Sequence, residues 1–271
     1  MGTLYLVRHG QASFGADDYD VLSAMGHQQS VRLGEYFQHR GVTFDAALTG
    51  TLNRQIRTLA GICQGMGVEF AVPDEAERNS VIERGSSSSQ QGPRDWLCQT
   101  AGAAAPSGGS ALHAVKSVGA HILWPGLNEY DSHAVIETIH PHKLEKPTSP
   151  EMYRNHFRLL RDGLAQWMAG VVSPRGMPSY TDFVAGVTSA LDHVRKNFDG
   201  NVLLISSGGP IATAVGHVLG TSPETTIELN LRIRNCSVTE FAFTPKRHML
   251  VTYNTLPHLD GPEYAEWVTY A

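Results

Sequence analysis

The chain is poor in cysteine, has no long apolar run and carries no cationic excess. Cys63, Cys98 and Cys236 are its three cysteines. An odd, widely spaced set argues against a disulfide framework or a cysteine zinc site, and it suits a reducing compartment; a cytoplasmic location is expected. No stretch is long enough to span a bilayer, and the sequence opens on an apolar strand rather than on a signal peptide, so no membrane partner is expected. Lysine and arginine number 21 against 26 acidic residues, a formal charge of −5. That balance argues against a nucleic-acid partner, although a local arginine cluster can still serve an anionic substrate. His140-Pro141-His142 lacks a neighbouring cysteine or acidic cluster, so no metal is expected.

What is present reads as alternating strands and helices. Leu4–Val7 is a short apolar strand, and Phe44–Thr49 and Val202–Ile205 are two more. Ser23 stands where an N-cap belongs, ahead of a helix with Val31, Leu33, Tyr36 and Phe37 on one face. Leu52, Ile56, Leu59 and Cys63 recur at spacings of four, three and four. Further helices are expected around Tyr153–Trp167, Phe183–Val194 and Ile211–Leu219, with final strands at Ser237–Phe243 and His248–Tyr253. Strands alternating with helices predict an α/β sandwich, in which ligands sit beyond the carboxyl ends of the central strands.

Two regions interrupt this pattern. Residues from about 84 to 120 are rich in Ser, Gly and Ala, including Ser86-Ser87-Ser88-Ser89, and read as a low-complexity insertion. Residues from about 131 to 180 are mainly helical and read as a cap. Residues 1–271 are otherwise expected to form one domain. Monomer and homodimer are both left open.

The chemistry begins at the exit of the first strand, with Arg8-His9-Gly10-Gln11. An isolated histidine there usually caps a strand end. Beside a fixed guanidinium and a glycine it gains another use. A neutral imidazole attacks phosphorus, a guanidinium pairs with phosphate oxygens, and glycine lets the backbone approach closely.

Leu4-Tyr5-Leu6-Val7-Arg8-His9-Gly10-Gln11 resembles the start of the histidine phosphatase superfamily, also called phosphoglycerate mutase-like. Leu52-Asn53-Arg54-Gln55-Ile56-Arg57-Thr58 resembles the later part of the family's Ser-x-Leu-x-Arg-Ala-x-x-Thr, which selects Arg54 over Arg57 as a phosphate ligand. Leu127-Asn128-Glu129 resembles the family's Leu-Asn-Glu. Ser206-Ser207-Gly208-Gly209 resembles Ser-His-Gly-Gly, with Ser207 in the place of the family's second histidine.

The resemblance implies a three-layer α/β/α sandwich with a mostly parallel central sheet and a helical lid. It implies His9 as nucleophile and Glu129 as proton donor, with Asp131 as the alternative acid. It implies Arg8, Gly10, Gln11, Arg54, Ser207 and Gly208 as phosphate ligands, with Ser13 a weaker candidate, and it calls for no cofactor. The expected activity is hydrolysis of a small phosphorylated metabolite or a phosphoprotein through a phosphohistidine. Ser207 carries no charge, so slow turnover, or a phosphoryl-ligand binding or regulatory role, is the alternative. His133 or His140 could replace the missing ring only by reaching in from the inserted region. A phosphoglycerate mutase-type transfer fits less well, because residues 84–120 hold few basic side chains: Arg84, Arg94 and Lys116.

Overall fold

Period-two alternation along the central strands divides the core into two halves. Leu4 and Leu6, Ala46 and Leu48, and Val202 and Leu204 face one side. Val7, Ala47, Leu203 and Ile205 face the other. Strands buried on both faces read as continuous apolar runs, which is why these segments stand out in the sequence. The computed structural model describes residues 1–13, 20–86, 118–140, 142 and 149–270.

Six strands form one sheet: β1 Gly2–Arg8, β2 Phe44–Thr49, β3 Val118–Leu123, β4 Asn201–Ser206, β5 Val238–Thr244 and β6 Arg247–Thr255. Their spatial order is β3-β2-β4-β1-β5-β6. The β3/β2, β2/β4 and β4/β1 pairs are parallel, and the β1/β5 and β5/β6 pairs are antiparallel. In the β1/β4 ladder Arg8 lies opposite Ser206. The exits of the two strands, carrying His9 and Ser207, therefore open side by side.

Helices α1 Ala24–His39 and α2 Asn53–Met66 cover one face. Leu33 and Phe37 from α1 meet Leu59, Ile62 and Met66 from α2 over Val7 and Ile205. Tyr5, Phe37 and Phe44 meet edge to face there, at centroid distances of 5.1–5.6 Å, a geometry worth about 0.5–1.5 kcal/mol per pair beyond area burial. Ser23 caps α1 by accepting from the Gly26 amide. Helix α3 spans Glu75–Ser86.

Helices α4 Ser132–Glu137, α5 Pro150–Met168, α6 Tyr180–Asn197, α7 Gly208–Leu219 and α8 Pro223–Asn230 complete the fold. Leu160, Leu164 and Trp167 of α5 pack into the same core as Leu4, Leu6, Phe183 and Val187. Burying each such side chain fully contributes about 1.5–3 kcal/mol. The stretch expected to be a cap thus buries apolar side chains in the core above the sheet.

The described residues flank the expected insertion on both sides. Residues 84–86 finish α3, and Val118–Leu123 is the edge strand β3, paired with β2. Residues 87–117, and Cys98 with them, lie outside the described residues. Among the described residues no helix is long and apolar enough to cross a membrane, and no cluster of His, Cys, Asp or Glu could hold a metal ion.

Candidate active site at the paired strand exits

His9 ends β1 and is 3% exposed. Its amide donates to the Ser206 carbonyl at 2.8 Å. Its own carbonyl accepts from Asn235 Nδ2 at 3.2 Å and from the Cys236 amide at 3.3 Å. Contacts from β4 and from the loop before β5 thus fix the residue. His9 Nδ1 lies 2.7 Å from the Gly10 carbonyl oxygen. A carbonyl only accepts, so Nδ1 carries the proton and Nε2 keeps its lone pair. Burial, then the guanidinium groups of Arg8 and Arg54, hold the imidazole pKa well below its ordinary value. The ring is neutral, with one nucleophilic nitrogen.

Arg54 is buried near the start of α2, whereas Arg57 is exposed. The N-terminal amides of α2 are occupied. Asp20 accepts from the amides of Asn53 at 2.8 Å and Arg54 at 3.3 Å, and from Arg54 Nη1 at 3.0 Å. Asp20 was not legible as a site residue: it is one acid in a polar loop. Arg8 directs Nη1 to the carbonyls of Ile233 and Tyr270, yet its charge still acts on His9 and Glu129.

Gly10 packs closely against the start of α1. Its amide donates to Thr58 Oγ1 at 3.0 Å. A Cβ there would meet the Gly26 carbonyl oxygen at 2.4 Å, so Gly10 permits close approach to α1. Gln11 is tied down as well: its amide donates to Gln29 Oε1, and its Oε1 accepts from Ser23 Oγ at 2.8 Å. Ser13 donates its amide to the Val21 carbonyl.

Glu129 lies beside the N-terminus of α7. Its Oε2 accepts from the Gly209 amide at 3.1 Å, and its Oε1 from the Tyr130 amide at 3.2 Å. Loss of hydration raises the carboxyl pKa against the opposing pull of the Gly209 hydrogen bond, Arg54, Arg8 and the Tyr130 hydrogen bond. A bound phosphate would add like-charge repulsion, but burial alone gives the shift its direction. Asp131, the alternative acid, caps α4 by accepting from the amides of His133 and Ala134. The Leu127–Glu129 segment is clamped to the β2 exit, because Asn128 exchanges hydrogen bonds with the Thr51 amide and hydroxyl at 2.7 Å.

Ser207 is completely buried. Its hydroxyl accepts from Gln55 Nε2 at 3.0 Å and does not cap α7. Gly208 follows at the first turn of that helix, buried. Of the other histidines, His133 is exposed beside His156, and His140 bonds locally to the His142 carbonyl.

His9, Arg54, Glu129 and Ser207 therefore converge from four chain segments at the carboxyl edge of the parallel strands. The family model of the histidine phosphatase superfamily, branch 1, matches residues 4–90 and 122–256, and these stretches carry all four. The chain belongs to the histidine phosphatase superfamily. Solved structures with this fold include YhfR from Bacillus stearothermophilus (15% identity, TM-score 0.57, 95% of this chain and 99% of that one). A phosphoserine phosphatase from Entamoeba histolytica, in complex with 3-phosphoglyceric acid, aligns at 17% identity and TM-score 0.54, over 96% of this chain and 100% of the other. The alpha-ribazole phosphatase from Shigella flexneri aligns at 14% and 0.54, over 94% and 96%. At these identities the likeness speaks to the fold.

Among curated sequences, the ribosomal RNA small subunit methyltransferase A of Polaromonas sp. (strain JS666) matches over 42 residues at 76% identity. The match spans 16% of this chain and 13% of that protein, and so carries nothing about activity. In this histidine phosphatase superfamily member two polar side chains of the site, Gln55 and Ser207, are fully buried and bonded to each other. Gln55 is a fully buried polar side chain in the first turn of α2. Its only sequence signal is a bulky amide where the family pattern has alanine.

Proposed function

We propose that the protein is a phosphomonoester hydrolase that works through a phosphohistidine on His9. One observation carries the reading: a buried neutral imidazole whose Nδ1–H is held by the Gly10 carbonyl, leaving Nε2 as the nucleophile. In the first step Nε2 attacks phosphorus and the bond to the ester oxygen breaks. The leaving oxygen takes the proton of Glu129, whose raised pKa keeps that proton available. Arg54, Arg8 and the Ser207 hydroxyl stabilise the equatorial oxygens, with Gly10, Gln11 and Gly208 shaping the cradle. In the second step water attacks the phosphohistidine and gives a proton to Glu129. The N–P bond breaks, inorganic phosphate leaves, and His9 is restored.

The phosphatases among the structures of like fold support this reading. The substrate is expected to be a small phosphorylated metabolite or a phosphoprotein. A second reading, a phosphoryl-ligand binding or regulatory protein with slow turnover, is favoured by the carboxylate of Asp20 on Arg54. Phosphate release from a panel of phosphomonoesters, by wild type and by His9→Ala, separates the two. Turnover that vanishes in His9→Ala, with an acid-labile phosphoenzyme trapped on wild type, supports the hydrolase. No turnover, with inorganic phosphate still bound, supports the binding protein.

A further inference from the structure

Gln55 and Ser207 are both fully buried, and their hydrogen bonds allow one arrangement of protons. Gln55 Nε2 lies 2.9 Å from the Leu127 carbonyl oxygen and 3.0 Å from Ser207 Oγ. Exchanging the amide nitrogen and oxygen would set two carbonyl oxygens against each other at Leu127, so that edge must be the NH2 group. One of its hydrogens goes to Leu127 and the other to Ser207. Ser207 Oγ is therefore an acceptor toward Gln55, and its own proton must point elsewhere. The Leu127 carbonyl also receives Ser206 Oγ at 2.7 Å, which fixes the acceptor that orients Gln55. Among the described residues no acceptor is recorded for the Ser207 hydroxyl proton. The hydroxyl stands on the strand exit next to His9.

We propose that Gln55 is a positioning residue that commits the Ser207 hydroxyl to donate to an anionic oxygen of the phosphoryl group held at His9. The proposal rests on the reading of His9 as phosphoryl acceptor. It replaces a charged ring at this corner with two neutral side chains whose direction is set by the Leu127 carbonyl. A second consequence is steric. Gln55 fills space in the corner, so a larger residue at position 207 enters only if Gln55 is shortened.

The test is a double-mutant cycle on the full chain: wild type, Gln55→Met, Ser207→Ala and both together. Inorganic phosphate affinity is read by calorimetry, kcat and KM are read on the best ester of the panel, and melting temperature serves as a control. Each single variant is expected to weaken phosphate binding roughly fivefold and kcat roughly tenfold, and the double variant to lose no more than either alone, because Gln55 acts only through Ser207. Ser207→His alone is expected to melt lower than wild type, whereas Gln55→Ala/Ser207→His regains stability and acquires an imidazole limb in its pH–rate profile. Additive losses in phosphate affinity, unchanged affinity in Ser207→Ala, or a wild type that binds no phosphate would overturn the proposal. Non-additive phosphate affinities in a protein without turnover would keep the pair and remove the phosphatase reading instead.

Discussion

Asp20 Oδ1 lies 3.0 Å from Arg54 Nη1, while the same carboxylate caps the first amides of α2. The acid does two jobs with opposite effects on an anionic ligand. It fixes the helix start that carries Arg54, and it neutralises part of the charge that would meet phosphate. Asp20→Asn keeps an oxygen for the cap but removes the competing charge. It is expected to tighten inorganic phosphate binding by about three- to tenfold, measured by calorimetry or product inhibition. Asp20→Ala is expected to lose about 1 kcal/mol of stability with the cap. Weaker phosphate binding by Asp20→Asn would mean that the acid mainly aims Arg54.

Glu129 separates proton donation from binding. Glu129→Gln keeps acceptor capacity for the Gly209 amide through its side-chain oxygen but has no transferable proton. A loss in kcat of about 10²–10³ is expected for alkyl phosphates, and much less for esters with a good leaving group such as 4-nitrophenyl phosphate. In wild type the alkaline limb of kcat should lie above the usual carboxylate range, because burial raises the Glu129 pKa. The acid limb should lie below the usual imidazole range, because burial and two arginines keep His9 neutral. Equal losses for both ester classes would assign the proton to another group.

The close packing of Gly10 on Gly26 joins stability to the site. A Cβ on Gly26 would meet the Gln11 carbonyl oxygen at 2.1 Å, and one on Gly10 would meet the Gly26 carbonyl oxygen at 2.4 Å. Both obstacles are backbone and cannot turn aside. Gly26→Ala is expected to cost about 1–3 kcal/mol in a denaturant melt, and to lower turnover because Gln11 and His9 share one rigid turn. A variant as stable as wild type would show that α1 can move away from the loop.

Much of this arrangement was legible in the sequence, and the reasons are local. β1 and β4 are buried on both faces and read as unbroken apolar runs, Ser23 caps α1, and Arg8-His9-Gly10 stands at a strand exit. β3 was hidden because only its end is buried and Gly119, Ala120 and His121 give it little strand character. α3 was hidden because its Glu- and Arg-rich surface has no clear apolar face. Asp20, Gln55 and the carbonyls that hold Arg8 act across distances of 33 to 262 residues in the chain. No periodicity marks such partners. The raised pKa of Glu129 was likewise hidden, because its first cause is burial, which only the fold supplies.

Acid should destabilise the fold through histidines buried in the neutral form. Burial, with the Arg32 charge second, pushes the pKa of His258 down to about 3 from 6.5. Burial alone brings His121 to about 4. Below pH 6.5 the unfolded chain binds protons at both rings and the folded chain does not, so stability falls as the pH drops. The fall continues until the folded rings protonate, near pH 4 for His121 and near pH 3 for His258. Each ring contributes a slope of up to about 1.4 kcal/mol per pH unit inside its window. His258 has no hydrogen-bond partner at either ring nitrogen among the described residues, so His258→Leu removes the titration without breaking a bond. Urea midpoints taken between pH 7.5 and 4.5 should decline for wild type and decline less steeply for His258→Leu, by about one proton's worth of slope. Identical slopes for the two proteins would place a protonated, and therefore solvated, His258 in the folded state.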